Sequence, residues 1–456
     1  MRLLIVLCCS LLGGLPAADR PNIILILADD LGWADLPAYG NRFHETPHLD
    51  RLARNGMRFT QFYAGPVCSP TRANLQSGQD QARFGITQHI PGHRRPFAKL
   101  IDPIVPRQLP LEVETFAERL SAAGYATGYF GKWHLGKEGH GPGDQGWQTV
   151  LECQGNTQPP KVTGGEPRRT AEFLTEKALA FIEANKERPF LLQVSHSAVH
   201  IPLSTTPELL AKYQSKQPVP GQACNPAYAG LLEELDQSVG RLVDSVEKAG
   251  ISQDTLIFFL SDNGGIEHEQ GGRVVTSNKP LRGEKGTLYE GGIRVPAIAC
   301  WPGKTPAGSL SGTPVITTDI YPTLMEVAGV ALPKQPRDGL SLAALLRDPR
   351  VALNRDTLCW HLPHYHHSTP SGAIRQGGWK LIEFFEAGAL ELYDLEADPG
   401  ESSNLASRDD ARAREMQAAL AAWRRQVGAL MPVPNPAHDP ARAGELAKGR
   451  GAGSEL

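Results

Sequence analysis

The sequence predicts an α/β fold: a large mixed, mostly parallel sheet flanked by helices, followed by a small C-terminal α+β subdomain with an antiparallel sheet. Short, continuously apolar runs predict strands buried on both faces, as in a parallel sheet covered by helices. Helical patterns lie between these runs, and such alternation is typical of an α/β sheet. Near residue 345 the chain changes to closely spaced strand-like segments, which predict the antiparallel sheet.

Four apolar runs are the predicted strands of the large sheet, and polar residues follow each of them directly. These runs lie at 22–28, 126–130, 189–194 and 254–260. Helical spacing predicts helices at 46–56, 111–123, 170–185 and 228–248. The first helix begins at a Thr-Pro cap and ends at Asn-Gly, and the last carries Leu231, Leu235 and Val239 along one side.

The C-terminal part is predicted to be a strand meander closed by a helix. Its short strands and its helix are expected at 373–375, 379–385, 390–394 and 411–428. Residues 19–345 are thus the predicted N-terminal domain and 346–431 the predicted C-terminal subdomain. Proline, alanine, glycine and charge dominate 432–456, so this tail is predicted to be disordered.

Residues 1–18 are predicted to be an export signal. Arg2 supplies the positive start, residues 3–15 form a short apolar core, and Pro-Ala-Ala at 16–18 offers small residues for cleavage. The core is too short to span a bilayer, so no stable membrane insertion is expected, and an uncleaved anchor is the alternative. The protein is therefore expected to be exported and periplasmic or secreted.

The net charge and the spacing of the cysteines each exclude some classes of protein. A net charge of −3 over 456 residues provides no general attraction for nucleic acid. Of the seven cysteines, Cys8 and Cys9 would leave with the signal, and the other five are widely and irregularly spaced. This spacing is neither a disulfide framework nor a zinc-finger pattern.

Side chains capable of chemistry follow all four predicted strands. Ligands of an open parallel sheet bind at the carboxyl ends of its strands, so these side chains are expected to meet at one edge. They are Asp29 and Asp30, Lys132 and His134, His196 and His200, and Asp262 and Asn263.

Asp29, Asp30, Asp262 and Asn263 are hard oxygen donors. Oxygen ligands without cysteine or paired histidine suit Ca²⁺ or Mg²⁺ rather than zinc. A single acidic pair after a strand would be better explained by helix capping. Two clusters at separate strand ends favour a metal site, because grouped carboxylates repel one another and need a cation to be tolerated.

Residues 68–72, Cys-Ser-Pro-Thr-Arg, are the most informative motif of the chain. The pattern Cys-x-Pro-x-Arg, followed by a helix-like stretch that stops at Gly78, resembles the activation motif of the sulfatases, in which the cysteine is oxidised to formylglycine. The resemblance implies that residue 68 is an aldehyde whose hydrate is the nucleophile. For the motif taken alone, an inert structural cysteine is the alternative.

The resemblance extends over residues 20–405, where the chain is similar to sulfatases of the alkaline phosphatase superfamily. Seven blocks occur in the order of that family, and this order is far more specific than any one block. They are 29–35 (DDLGWAD), 46–59, 68–72, 131–136 (GKWHLG), 200–202 (HIP), 261–264 with 281–292 (SDNG and LRGEKGTLYEGG), and 391–405. An alkaline phosphatase-like fold, with residues 19–345 as the catalytic domain, is therefore expected.

The resemblance also implies a role for each matching residue. One divalent cation, usually calcium in this family, would be held by Asp29, Asp30, Asp262, Asn263 and the modified Cys68. Arg72 would brace the aldehyde hydrate and the metal ligands. Lys132, Lys285 and His200 would bind the sulfate oxygens, and either His200 or Lys285 would protonate the leaving oxygen. His134 would take a proton from the second hydroxyl of the hydrate, which releases sulfate and regenerates the aldehyde.

Several further residues are candidates for substrate binding. His361, His364, His366 and His367 lie in a stretch expected to join the two subdomains, where His364 and His366 would read sugar hydroxyls; a flexible loop or adventitious metal binding is the alternative. His93 and Arg94, in the basic segment 89–95, would hold a further sulfate or carboxylate of an anionic glycan, and a plain exposed loop is equally compatible. His196 is a candidate for supporting neighbouring site residues without touching the substrate itself.

The sequence thus predicts an exported sulfatase that hydrolyses a sulfate ester, on a carbohydrate, and that depends on a formylglycine-generating maturation enzyme. A phosphodiesterase or phosphonate monoester hydrolase of the same superfamily is the nearest alternative. A non-catalytic binder of sulfated glycans is the alternative from another class.

Overall fold

The computed structural model of the chain describes residues 20–158, 168–270 and 272–447. The predicted export signal and the last residues of the predicted tail lie outside these ranges. The strands are β1 Asn22–Ala28, β2 Met57–Tyr63, β3 Leu100–Ile101, β4 Ala126–Gly131, β5 Thr149–Glu152, β6 Thr157–Gln158, β7 Arg168–Arg169, β8 Phe190–Ser195, β9 Thr255–Ser261, β10 Glu269–Gln270, β11 Arg273–Val274, β12 Arg294–Cys300, β13 Ser309–Ser311, β14 Val315–Ile316, β15 Thr357–Leu362, β16 Ser371–Gln376, β17 Trp379–Phe384, β18 Ala389–Asp394 and β19 Val433–Pro434.

The helices of the described residues alternate with these strands through the first two thirds of the chain. None of them combines the length and the apolar character that a membrane span needs. They are α1 Pro47–Asn55, α2 Cys68–Ser77, α3 Phe116–Ala122, α4 Thr170–Asn185, α5 Pro207–Ser215, α6 Pro226–Lys248, α7 Glu290–Ile293, α8 Ile320–Val327, α9 Ala343–Arg347 and α10 Asp410–Val427.

The central sheet has the strand order β13-β2-β12-β9-β1-β8-β4-β5, with β14 also paired to β2. Strands β9, β1, β8, β4 and β5 are parallel neighbours, and β12 runs antiparallel to both β9 and β2. The sheet is therefore mixed and mostly parallel, which confirms the predicted fold class. The four predicted strands are its contiguous centre.

Alternate residues of β1 enter two different cores, because successive side chains of a strand point to opposite faces. Ile23 and Leu25 pack in a core with residues of α2, α3 and α8. Ile24 and Ile26 pack in a second core with residues of α1, α4 and α6. Helices thus cover both faces, and this explains why the predicted strands are apolar without alternation.

The C-terminal subdomain is a four-stranded antiparallel sheet in the order β15-β16-β17-β18. One face packs against α10, where Ile374 and Leu381 contact the core around Leu420. The other face packs against the N-terminal domain in a core that includes Tyr63 and Trp360. The sheet therefore lies between α10 and the N-terminal domain.

Two predictions for the C-terminal region differ from the structure. The histidine-rich stretch is not a joining insertion, because His361 lies in β15 and the other three histidines lie in the loop before β16. The tail is ordered as far as residue 447: β19 pairs with β3, and the Arg442 guanidinium stacks over the Phe97 ring. Backbone pairing and this stacking hold a segment whose composition alone indicated disorder.

Several element boundaries also differ. The helix predicted at 111–123 begins only at Phe116, because Thr115 and Glu118 form a reciprocal capping box that sets the first turn. Strands β2 and β12 were missed, because β2 mixes polar and apolar residues and a proline lies within the apolar run of β12. β15 was missed for the same reason: its sequence, TLCWHL, mixes polar and apolar residues.

Candidate active site

The candidate site lies at the carboxyl ends of four neighbouring parallel strands. Asp29 follows β1, Lys132 follows β4, His196 follows β8 and Asp262 follows β9 directly. The strands are neighbours in the order β9-β1-β8-β4, so these ends share one edge of the sheet. Gly131 has φ +118°, and a Cβ there would lie 1.9 Å from the backbone oxygen of Ser195, so only glycine allows β4 and β8 to approach this closely before Lys132.

Four oxygen-donor residues are brought together and buried at this edge. Asp29, Asp30, Asp262 and Asn263 are each at most 2% exposed. The backbone N–H of Asp30 donates to Oδ1 of Asp262 at 3.2 Å, and Nδ2 of Asn263 donates to Oδ1 of Asp30 at 2.7 Å. One oxygen each of Asp29 and Asp262 and the Cys68 sulfur lie within 4.8 Å of one another.

Two oxygens of this group have no hydrogen-bond donor among the described residues. They are Oδ1 of Asp29 and Oδ1 of Asn263, and both are buried. A buried oxygen without a donor costs free energy unless a cation or water satisfies it. The donor set of three carboxylates and one amide is the kind that Ca²⁺ or Mg²⁺ prefers, so these residues fit a hard divalent cation.

Buried cations surround the carboxylates. Nε and Nη2 of Arg72 both donate to Oδ2 of Asp262, at 3.0 and 2.7 Å. Nζ of Lys132 lies 2.7 Å from Oδ2 of Asp29, and Nζ of Lys285 lies 3.0 Å from Oδ2 of Asp30. Each carboxylate of the site therefore has a basic partner.

The two aspartates at the centre of the group differ in their protonation. Burial would raise the pKa of Asp29, but the nearby charges of Lys132 and Arg72 outweigh burial and hold this pKa far below its usual range. Burial and the charge of Asp29 raise the pKa of Asp262 to about 7. The protein alone thus does not favour both carboxylates being charged together, whereas a cation between them would.

Cys68 is the first residue of α2, a helix whose residues are all buried. Its sulfur lies 3.3 Å from Nδ1 of His134, and Nε2 of His134 lies 2.7 Å from the backbone oxygen of Ile90. A carbonyl only accepts hydrogen bonds, so Nε2 carries a hydrogen, and in the neutral form of the ring Nδ1 is unprotonated and faces residue 68. His134 itself has φ +60°, an unusual conformation for a residue with a side chain.

Lys285 and His200 form the opposite side of the site. Nδ1 of His200 donates to the backbone oxygen of Ile201 at 2.5 Å, which leaves Nε2 as an acceptor for Lys285 Nζ at 3.1 Å. Burial and the charge of Lys285 lower the pKa of His200. Between the two side chains, Lys285 is therefore the donor and His200 the acceptor.

The predicted substrate-binding residues do not all lie at the site. His196 is 1% exposed, hydrogen bonds through Nε2 to Ser238 of α6 at 3.2 Å, and has its pKa lowered to about 4 by burial. It therefore faces the helix layer. His364 is 1% exposed and hydrogen bonds through Nε2 to Thr87 at 2.8 Å, so its ring is not available to a sugar. The placement of His364 corrects the expectation that it reads sugar hydroxyls, whereas His196 was expected to act through its neighbours.

The other three candidates have different surroundings. Arg94 is exposed, and its backbone oxygen accepts from Ala447 in the ordered tail. His93 is half-buried and His366 buried, and both rings contact His89. His93 and His366 are 273 residues apart in the sequence, so the basic segment and the histidine-rich stretch meet in the fold.

Sequence reasoning missed one residue that positions the site. Ser69 Oγ donates to the backbone oxygen of His134 at 2.9 Å and accepts from the backbone N–H of Ile90 at 3.1 Å. It thus links the start of α2 to the backbone of His134 and to Ile90, the residue whose carbonyl accepts from the His134 ring. Its place between Cys68 and Pro70, inside the pentapeptide, was the available signal.

Comparison with known proteins agrees with this geometry. The sulfatase family model matches residues 21–330, and the model for the C-terminal part of N-sulphoglucosamine sulphohydrolase matches residues 283–426. A sulfatase of Formosa agariphila is 32% identical over 499 residues, covering 89% of each chain. The N-acetylgalactosamine-6-sulfatase of Canis lupus familiaris is 36% identical over 380 residues, covering 75% of this chain and 69% of that protein.

A solved structure is also similar along most of the chain. It is Ps i-CgsB in complex with k-i-k-neocarrahexaose, which superposes with a TM-score of 0.77 at 26% identity and covers 92% of this chain and 96% of that one. Fold, site and comparisons together define a hydrolase of sulfuric esters. The chain belongs to the sulfatase family.

Proposed function

We propose that this protein is an exported sulfatase that removes sulfate from a carbohydrate, using formylglycine made from Cys68 and one Ca²⁺ ion, with Mg²⁺ as the second choice. The observation that carries the proposal is the approach of the Cys68 sulfur to the oxygens of Asp29 and Asp262, within 4.8 Å, beside Lys132 and Arg72.

The four oxygen-donor residues would hold the cation. Ca²⁺ accepts irregular sets of carboxylate and amide oxygens more readily than Mg²⁺, which demands near-octahedral geometry. The bound ion would act as a Lewis acid on a sulfate oxygen and favour the deprotonated form of the nucleophile. The four ligands are Asp29, Asp30, Asp262 and Asn263.

Residue 68 would supply the attacking oxygen once it is oxidised and hydrated. Its position at the first turn of α2 exposes it to free backbone N–H groups, which favour an anion. Nδ1 of His134 is unprotonated and faces this residue, so it is the base that accepts a proton from it. Arg72 holds Asp262 in place by two hydrogen bonds to one carboxylate oxygen.

The remaining basic residues would bind the sulfate group. Lys132 and Lys285 approach the site from opposite sides, bound to Asp29 and Asp30. Because His200 Nε2 accepts from Lys285, Lys285 is the group that carries a proton to the leaving oxygen. His200 orients its ammonium and contributes no charge of its own.

A carbohydrate substrate is supported by two of the similar proteins: one is an N-acetylgalactosamine-6-sulfatase, and the other was solved in complex with k-i-k-neocarrahexaose. Export is supported by the sequence of residues 1–18. Oxidation of Cys68 requires a formylglycine-generating maturation enzyme in the same host.

Peptide mass spectrometry of residue 68, in protein from its native host, tests the nucleophile. We expect loss of sulfur and the mass of formylglycine. An unmodified cysteine in protein that still hydrolyses sulfate esters would contradict the proposed nucleophile. Metal analysis of the same sample separates the sulfatase from the phosphonate or phosphodiester alternative, since we expect one Ca²⁺ per chain, whereas two ions bound by the oxygen-donor residues would favour phosphate chemistry.

A further inference from the structure

Three histidines form a group apart from the oxygen-rich site. His89 and His93 lie between α2 and β3, and His366 lies in the loop between β15 and β16. One ring nitrogen from each lies within 4.8 Å of those from the other two. The ring centroids are 4.3 Å apart for His89 and His93, 5.6 Å for His89 and His366, and 5.5 Å for His93 and His366. We call this group the histidine triad.

The triad is largely buried, and burial favours the neutral form of its two most buried rings. His89 is 3% and His366 6% exposed, whereas His93 is half-buried and gives access from solvent. Burial and then the neighbouring His93 lower the pKa of His89 well below its usual value, and burial and then His367 do the same for His366. Neutral imidazole is the form that binds a metal.

The position of His366 is set by its surroundings. Its backbone oxygen accepts from Nη2 of Arg95 at 3.2 Å, and its ring packs so closely on Gly286 that a Cβ there would lie 2.0 Å from Nδ1. That Nδ1 is buried and has no hydrogen-bond partner among the described residues. The imidazole is therefore held in place by packing and not by a hydrogen bond at this nitrogen.

A cation at the triad would lie near Lys285, whose charge contributes to the low pKa of both His89 and His366. The Lys285 ammonium lies 3.0 Å from Oδ2 of Asp30, so a carboxylate already compensates this charge. Repulsion by Lys285 therefore does not exclude a further cation.

We propose that the histidine triad binds one borderline divalent metal ion, with Zn²⁺ or Cu²⁺ as the fitting class, at a site separate from the calcium site. Imidazole nitrogens select these ions, whereas Ca²⁺ and Mg²⁺ require oxygen. Zinc–nitrogen bonds of about 2.0–2.1 Å place tetrahedral ligand nitrogens about 3.4 Å apart, so modest ring rotations close the observed separations. Three protein ligands leave one position for water or an anionic ligand.

The ion would also link two parts of the fold. His89 and His93 belong to the N-terminal domain, and His366 belongs to the C-terminal sheet region. A metal bound to all three would cross-link these parts and stabilise the folded state more as the concentration of free metal rises above the Kd. Thermal stability is therefore a readout that is independent of enzymatic activity.

The test uses the full chain with Cys68→Ser, which removes the thiol near Asp29 and Asp262, saturated with Ca²⁺ to fill the oxygen site. Equilibrium dialysis against Zn²⁺ with metal analysis should give one additional zinc per chain and a higher Tm. Cu²⁺ in place of zinc should give an electron paramagnetic resonance spectrum with coupling to imidazole nitrogens. His93→Ala and His366→Gln should each weaken zinc binding by more than about tenfold.

His48→Ala is the matched control, because His48 lies on α1 and belongs to none of the three candidate ligand groups. It should retain the zinc and the rise in Tm. Because His93 is half-buried, we expect His93→Ala to fold even if His366→Gln does not. The His93 variant alone can then test the proposal. The proposal is overturned if the calcium-saturated protein takes up no zinc, or if His93→Ala binds zinc as tightly as the parent.

Discussion

The sulfur of Cys68 lies 3.3 Å from Nδ1 of His134, while the other ring nitrogen of His134 donates to the backbone oxygen of Ile90. Residue 68, the first residue of α2, therefore contacts a histidine whose tautomer is set by a backbone carbonyl. His134 itself has a left-handed backbone conformation. Residue 68 faces a base and not a proton donor, and this distinguishes His134 from a histidine that only binds sulfate.

Replacing His134 with glutamine should lower kcat by roughly 10²–10⁴-fold, because general acid–base catalysis typically contributes this much. The Tm should change little, since the ring is only half-buried. Steady-state hydrolysis of an aryl sulfate by fully matured protein measures the effect. His140→Gln, whose ring nitrogen bonds to Gln108 at an exposed site, should keep normal turnover. Equal losses in both variants would refute a specific role for His134.

Arg72→Lys should weaken calcium binding by about tenfold, because lysine cannot reproduce the two hydrogen bonds that orient Asp262. Isothermal titration calorimetry with Ca²⁺ measures this affinity. Arg83→Lys is the control, because Arg83 also donates two hydrogen bonds to one aspartate, Asp338, outside the site. Its replacement should leave calcium affinity unchanged. Unaltered affinity in Arg72→Lys would show that Asp262 is positioned without it.

The stability of the protein should depend on the protonation of Asp80. Burial and the charge of Asp338 raise the pKa of Asp80 to about 7, from about 3.9 for an unperturbed aspartate. Between these values the folded state holds the proton more tightly than the unfolded state, so stability falls as pH rises until the pH exceeds about 7. Asp80→Asn removes this dependence and keeps the acceptor for the Ala82 N–H.

The free energy of unfolding of Asp80→Asn relative to wild type should therefore increase by roughly 2–3 kcal/mol between pH 5 and pH 8. Urea unfolding at each pH measures it. Asp348→Asn, at an exposed aspartate whose pKa is lowered by Arg350, should show no such increase. A constant difference between Asp80→Asn and wild type would contradict the raised pKa.

Lys380→Met should destabilise the docking of the C-terminal sheet by roughly 3 kcal/mol or more, because loss of one partner leaves a buried charge uncompensated. Nζ of Lys380 lies 2.9 Å from Glu290 and 2.9 Å from Glu401, and the ammonium is fully buried. Denaturant unfolding followed by tryptophan fluorescence measures the loss. The half-exposed Lys212, which also contacts two glutamates, is the control, and Lys212→Met should cost about 1 kcal/mol or less.

The sequence by itself determined the fold class and the chemical character of the site edge. Strands β1, β4, β8 and β9 could be recognised because a strand buried on both faces must be apolar at nearly every position, and this constraint is local. The polar residues directly after these strands can also be read from a short stretch of sequence. Asp29 and Asp262 must lie close together once their strands are parallel neighbours. The Cys-x-Pro-x-Arg pattern, with the six other blocks, was sufficient to indicate the family that the comparisons then established.

Only the tertiary structure decided where individual side chains point and which distant segments meet. His196 and His364 carry the right chemistry at suggestive places, yet one faces α6 and the other faces Thr87. The triad joins His93 to His366, and the tail pairs with β3, although no local pattern links these segments. The physical reason is that side-chain direction and long-range pairing depend on packing between elements, and that packing is absent from any short stretch of sequence.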